Sequence, residues 1–268
     1  MTTLTRLRSR RRGERPRRSS SPRRPRAASR TERQPDSRCN TPDVSRSEKI
    51  SRSFYAELGA DGLANRTRPE WDEKIVAALI ELLPQRARVL DVGCGYGRVT
   101  LPLARARFEI EGLDLSENLI EAARGAADAE ELRIGLTVGS MTSLPYRTES
   151  FDTVICLWSA FHELLEEHEQ RRAVSEMWRV LRPGGFGLIE GPLYQEASQA
   201  DIESGKRRGP EHRIASELVE GIWRPHYAHD PSSFRRICGA AGVSRLHMFE
   251  REWGGRQRLF LRPDKPRL

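Results

Sequence analysis

The stretch Val89–Arg98, Val-Leu-Asp-Val-Gly-Cys-Gly-Tyr-Gly-Arg, limits what this chain can fold into more than any other. An apolar run through Val89, Leu90 and Val92 stops at three alternating glycines, Gly93, Gly95 and Gly97. Apolar positions then recur with helical spacing at Val99, Leu101, Leu103 and Ala104. The pattern predicts a buried strand, a tight turn and a helix N-terminus, where glycine lets the backbone approach a ligand closely. A loose glycine pattern alone is weak evidence. Here the next apolar run ends in Glu111-Gly-Leu-Asp114-Leu-Ser116. That places a carboxylate about 20 residues downstream, the separation of a ribose-binding acid in a nucleotide fold. A nucleoside-containing cofactor on an α/β sheet is expected.

The turn reads Gly-x-Gly-x-Gly rather than Gly-x-Gly-x-x-Gly, and Asp91 lies in the strand just before it. A carboxylate there repels a pyrophosphate but suits a cationic or zwitterionic ligand. Three further blocks follow in order: Asp114, then Leu144-Pro145-Tyr146 with Phe151-Asp152-Thr153-Val154, then Leu181-Arg182-Pro183-Gly184-Gly185. Together they resemble the motifs of the class I S-adenosylmethionine-dependent methyltransferases, of the type 11-like kind, over roughly residues 70–192. The resemblance implies an α/β fold with a doubly wound, seven-stranded, mostly parallel Rossmann-like sheet whose final strand is antiparallel. It also implies S-adenosyl-L-methionine as cofactor and methyl transfer as activity.

By that resemblance Gly93, Cys94, Gly95 and Gly97 form the turn under the methionine and ribose portions, and Asp91 orients it. Asp114 accepts the ribose hydroxyls, with Leu115 beside it, and Leu157 lines the cleft. One departure matters. Many relatives carry an acid after strand three that bonds the adenine amino group, whereas this chain has Gly139-Ser140-Met141. A hydroxyl is a weaker acceptor, and Ser140 and Met141 stay cofactor candidates. Loss of the acid also leaves open a binding module whose cofactor site has decayed.

After strand four come Leu157-Trp158-Ser159-Ala160-Phe161-His162-Glu163, where the family faces the methyl group. His162 is a candidate base or substrate contact, its ordinary pKa near 6.5 suiting proton removal from an oxygen or nitrogen; packing at a helix start is the alternative. Tyr55, Trp158, Tyr194 and Tyr227 are the other substrate candidates. The Asn/Asp-Pro-Pro-Tyr and Pro-Cys signatures of base-directed relatives are absent here, which argues against adenine, cytosine-N4 or cytosine-C5 methylation. His212, His226 and His229 lack ligand-pair spacing, so no metal is expected.

Charge is unevenly distributed. Residues 1–47 hold 15 Arg, no Lys and four acids, a net +11, whereas the whole chain carries +8, leaving −3 for 48–268. The basic balance therefore belongs to the first segment and gives no argument for a nucleic-acid-binding body. That segment, rich in Ser and Pro, cannot bury enough surface to offset chain entropy, so disorder is expected over 1–47. A solvated tail or early start site, phosphate contacts to nucleic acid, and organelle targeting are its competing readings. Cys39, Cys94, Cys156 and Cys238 form no Cys-x-x-Cys pair, and no apolar stretch approaches ~18 residues, which points to reduced thiols in a cytoplasmic protein away from membranes.

A methyltransferase domain is expected over 48–268. A first helix through Ile50, Phe54, Tyr55 and Leu58 stops at Gly59, and a second covers about 68–83. Strands are expected at 109–113, 132–138, 153–158 and 186–190, with helices from Ser116 and over 164–180. Residues 191–230 break the alternation; a polar stretch of that length is read as a substrate cap. A helix over 232–242 and a strand pair around Trp253-Gly254-Gly255 close the domain. The acceptor is expected to be a small molecule, methylated on O or N. An RNA- or protein-modifying enzyme docking through the tail is the alternative.

Overall fold

The computed structural model describes residues 44–253 and 256–267. The expectations for residues 1–43, Cys39 included, lie outside the described residues. Helix α1 spans Arg46–Ala64 and α2 Pro69–Leu82; then come β1 (Arg88–Val92), α3 (Thr100–Arg105), β2 (Glu109–Asp114), α4 (Glu117–Ala129), β3 (Gly135–Val138) and β4 (Phe151–Cys156). They are followed by α5 (Glu167–Val180), β5 (Leu181–Pro192), α6 (Gln199–Glu203), β6 (Arg207–Arg208), β7 (Ile214–Val219) and β8 (Ile222–Tyr227). Helix α7 (Pro231–Ala240), β9 (Leu246–Trp253) and β10 (Arg256–Pro263) complete the chain.

Seven strands form one sheet in the order β3-β2-β1-β4-β5-β10-β9. Strands β1 to β5 pair in parallel, and β10 inserts antiparallel between β5 and β9. The order reverses at β1 and β4, so the crevice at their carboxyl ends is the natural ligand position of a doubly wound sheet. Alternation along β1 divides the core: Val89 packs against α2 and α3, whereas Leu90 and Val92 pack against α5 and α7. Each such fully buried aliphatic side chain contributes about 1.5–3 kcal/mol.

Several boundaries move for local reasons. Ser45 caps α1 in a reciprocal box with Glu48, so the fold begins before the boundary drawn at residue 47. Gly59, at φ 70° and ψ 173°, breaks α1 as expected, but helix resumes beyond it. β3 starts at Gly135 because Leu132 is still capping α4, its N–H donating to the Ala127 carbonyl. β4 ends at Cys156 because Trp158 and Ser159 turn left-handed, at φ 55° and 69°. Helix α5 starts at Glu167, behind a capping box of Glu166 and Glu169.

Residues 191–230 contain a separate three-stranded antiparallel ribbon, β6-β7-β8, with the short helix α6 ahead of it. The thiols of Cys94, Cys156 and Cys238 are buried and free. Among the described residues no helix is long and apolar enough to cross a membrane.

Candidate active site

The glycine turn is tied to β2 by its own backbone. The N–H groups of Gly93 and Cys94 donate to the Leu113 carbonyl, at 2.7 and 3.1 Å. Gly93, at φ 78°, lies so close to the turn after β4 that a Cβ there would sit 2.4 Å from the Ala160 Cβ. No other residue fits that approach. The Cys94 thiol tucks beneath Gly112, where a Cβ would come within 2.8 Å of the sulfur.

Asp114 ends β2 and closes this cradle. Its carboxylate accepts from the Gly95 N–H at 2.8 Å and the Ser116 N–H at 2.9 Å, leaving lone pairs for a ligand. Burial pushes its pKa up to about 6 against those backbone donors. Asp91 accepts from the Thr100 hydroxyl at 2.7 Å, and burial pushes it up to about 7. Two buried acids along one wall favour a ligand bearing a cation and hydroxyl groups.

Helix α1 roofs the cleft and is fastened along its length. The Ser47 hydroxyl donates to Glu169 and accepts from the Leu165 N–H at 2.9 Å. Asn118 donates to the Tyr55 carbonyl at 2.8 Å. The Tyr55 hydroxyl donates to Glu163, which also receives Arg224 of β8 at 2.6 Å; Arg224 reaches Glu217 at 3.2 Å. Burial raises the Tyr55 pKa, so the phenol keeps its proton. Burial disfavours the Arg224 charge, but the Glu163 and Glu217 carboxylates outweigh it and the guanidinium pKa is raised.

The left-handed Trp158–Ser159 turn forms the floor between these two ends, and two consecutive residues in that region store backbone strain. A buried pair holds it. Glu190 accepts from the Trp158 N–H at 2.8 Å and from Arg258, and Arg258 donates to the Ser159 hydroxyl at 2.7 Å. Arg98 lies 4.0 Å over the Trp158 ring and pairs with Asp72 at 2.5 Å. The cleft has a volume of about 490 Å³.

The structure brings Asp91, Gly93, Cys94, Gly95, Asp114, Leu115, Ser140, Met141 and Leu157 to the cleft lining. Gly97 lies behind it, at φ 89° against Leu101, shaping the turn. Of the substrate candidates, Tyr55 and Trp158 line the cleft. His162, Tyr194 and Tyr227 do not. The short helical turn Ala160–Glu163 sends Glu163 to the cleft and His162 away from it, fully buried, 5.0 Å from the His229 ring and facing Gly191. Burial, then His229 and nearby arginines, hold the His162 pKa well below its ordinary value, so the ring stays neutral. Tyr227 packs on His229 at 4.7 Å, and Tyr194 lies under Arg213 at 4.4 Å. Among the described residues no group of three or more His, Cys, Asp or Glu could hold a metal ion.

Residues 89–185 match the model of a methyltransferase domain family. An uncharacterized protein of Haemophilus influenzae is 30% identical over 202 residues, which cover 74% of this chain and 77% of that protein. The solved 1,6-didemethyltoxoflavin-N1-methyltransferase of Burkholderia thailandensis, with that compound and S-adenosylhomocysteine bound, shares the fold. Its TM-score is 0.61 at 18% identity, covering 81% of this chain and 88% of that one. The chain belongs to the class I S-adenosylmethionine-dependent methyltransferases. Another relative of this methyltransferase, a malonyl-[acyl-carrier protein] O-methyltransferase of Methylococcus capsulatus, is 35% identical over 197 residues, 72% of this chain and 64% of that protein. The chain spans between 26% and 52% of the length of four further curated relatives.

Among the polar residues at the methyltransferase's cleft that escape the sequence motifs are Glu48 on α1, Glu163 beside His162, and Arg224 on β8. Of these three, Glu163 alone carried a signal, its place in the segment after β4.

Proposed function

We propose that this methyltransferase binds S-adenosylmethionine along the carboxyl ends of β1 to β4 and methylates an oxygen or nitrogen of a small molecule. The supporting observation is one continuous cleft joining Asp114 and the glycine turn to the Tyr55–Glu163–Arg224 cluster. Its volume falls within the ~300–1,000 Å³ of small-ligand sites. The residues present fit the cofactor: a glycine cradle no side chain could enter, a buried carboxylate with free lone pairs, and a second acid beside the turn. When bound, S-adenosylmethionine supplies the methyl group and its own leaving group.

The protein's part is then orientation and exclusion of water. Effective molarities of aligned reactants are worth roughly 7–11 kcal/mol of barrier. The Trp158–Ser159 turn fixes the floor, α1 the roof, and we read residues 191–230 as a cap that delivers Arg224. Tyr55 and Glu163 orient the acceptor, and the Glu163 carboxylate can take its proton. Tyr55→Phe is expected to lower kcat/KM about fivefold, the worth of one hydrogen bond of about 1 kcal/mol. Steady-state kinetics on the identified acceptor check this, and an unchanged kcat/KM would remove Tyr55 from acceptor positioning.

Cofactor affinity should depend on pH. Ligands that use the ionised acids require Asp91 and Asp114 to lose their protons, whose pKa values are raised to about 7 and about 6. In the free protein these raised values favour the protonated fold, a contribution present below the unfolded value of about 3.9 and lost as pH rises through 6 to 7. S-adenosylhomocysteine binding should therefore tighten from pH 5.5 to 7.5 and level off above. In Asp91→Asn the upper part of that rise should vanish, as read by calorimetry across pH.

The reading is tested by offering methyl-labelled S-adenosylmethionine and a panel of small hydroxyl, carboxyl and amine acceptors to the full chain. Label transfer to one class supports it; cofactor binding without transfer to any acceptor leaves a binding module. The Arg-rich segment favours a second reading, an RNA-directed enzyme, which requires salt-sensitive RNA binding that deletion of residues 1–43 abolishes.

A further inference from the structure

We propose that Glu48, carried by α1, is the carboxylate that receives the adenine amino group of the cofactor. The inference rests on the cleft being the S-adenosylmethionine site, and it assigns specificity there to a residue outside the nucleotide-binding sheet.

If Asp114 holds the ribose, the base extends away from the β1 turn, toward the end of β3. That end is lined by Leu115, Ser140 and Met141, with the first turn of α1 above them. Leu115 and Met141 offer apolar surface to a flat ring. The polar group at its edge must accept, since an exocyclic amine presents N–H donors. Ser140 is already engaged: its hydroxyl proton goes to Glu48, its oxygen accepts the Thr142 N–H at 3.0 Å, and the Thr142 hydroxyl lies 2.8 Å away. The acceptor capacity in this corner belongs to Glu48 itself. A carboxylate offers about four lone-pair positions. Ser140 and Thr142 reach Oε1 and the Ser45 N–H reaches Oε2, at 3.4 Å, which leaves Oε2 one position open.

Glu48 is also held rigidly enough to specify a ligand. It closes the capping box at the start of α1, and its neighbour Ser47 anchors that turn to Glu169 and the Leu165 N–H. The carboxylate therefore arrives at the adenine edge from the roof instead of from the loop after β3. Position 140 needs only a hydroxyl that orients it. Docking of α1 and recognition of the base become one event.

The test compares affinities of the full chain for S-adenosylhomocysteine and for S-inosylhomocysteine, whose base presents an oxygen where adenine presents the amine. A carboxylate facing that oxygen repels it, so wild type should prefer the adenine ligand by tenfold or more. Glu48→Ala should reduce that preference to within about twofold, weakening the adenine ligand alone. Adding Ser140→Asp to Glu48→Ala should restore the preference from the other wall. Loosening of α1 would weaken both ligands together and leave their ratio unchanged, so an unchanged ratio in Glu48→Ala overturns the assignment. Failure of folded wild type to bind S-adenosylhomocysteine would overturn the cofactor reading first, and this inference with it.

Discussion

Replacing Asp114 by alanine is expected to weaken S-adenosylhomocysteine binding at least a hundredfold. Two charge-assisted hydrogen bonds to ribose hydroxyls are worth about 1.5–3 kcal/mol each, and each 1.4 kcal/mol is tenfold in affinity. The substitution also strips the Gly95 and Ser116 N–H groups of their acceptor, loosening the turn under the ligand. Asp114→Asn, which keeps one acceptor oxygen, should fall between alanine and wild type. Stability should change far less than affinity. At pH 8 the loss of those two backbone hydrogen bonds is offset in part by removal of a buried carboxylate whose ionised form burial disfavours above pH 6. Calorimetric titration paired with thermal melts separates the two effects. A variant that melts normally and binds normally would remove Asp114 from the site.

Gly191→Ala should be the most destabilising single methyl in the fold. A Cβ at position 191 would lie 1.7 Å from His162 Cε1 and 2.2 Å from its Nδ1. The ring has nowhere to retreat, being packed among Phe161, His229 and Phe234, with centroids 5.0–6.2 Å away. Overpacking of this kind costs about 1–3 kcal/mol and occasionally more, which for a domain this size lowers Tm by roughly 2–4 °C per kcal/mol. With a Cβ this close to the ring the upper end applies, and about 3 kcal/mol corresponds to a fall of about 6–12 °C. Adding His162→Ala should return most of it by opening the space the new methyl needs. A mild single variant, or a double variant no better than the single, would contradict the seating of His162 against β5.

The sheet was legible because its signals are local and strong. Apolar runs ended by glycine or an acid mark the parallel strands, and Asp114 at its spacing marks the nucleotide wall. Gly59 breaks its helix where expected because a positive-φ position is readable as glycine, although helix resumes beyond it. The acceptor end was less legible for reasons that are equally physical. His162 and Glu163 are adjacent, and which one faces the cleft depends on a short turn entered through two left-handed residues, neither of them glycine. A pattern of residue types carries no trace of that turn. Arg224 reaches the cleft through a β-ribbon in a stretch without periodicity, and Glu48 reads from sequence as an ordinary helix-capping acid. Tyr194 and Tyr227 are aromatic residues of the same stretch, but the ribbon turns them toward Arg213 and His229.

Calorimetric titration of S-adenosylhomocysteine into the full chain at pH 8 tests whether the cleft at the carboxyl ends of β1 to β4 holds the methyl donor. Saturable binding at one site per chain, accompanied by a rise in Tm, is the expected result. Absence of heat and of any thermal shift, in protein that melts cooperatively, would contradict that placement and leave a methyltransferase fold without its cofactor.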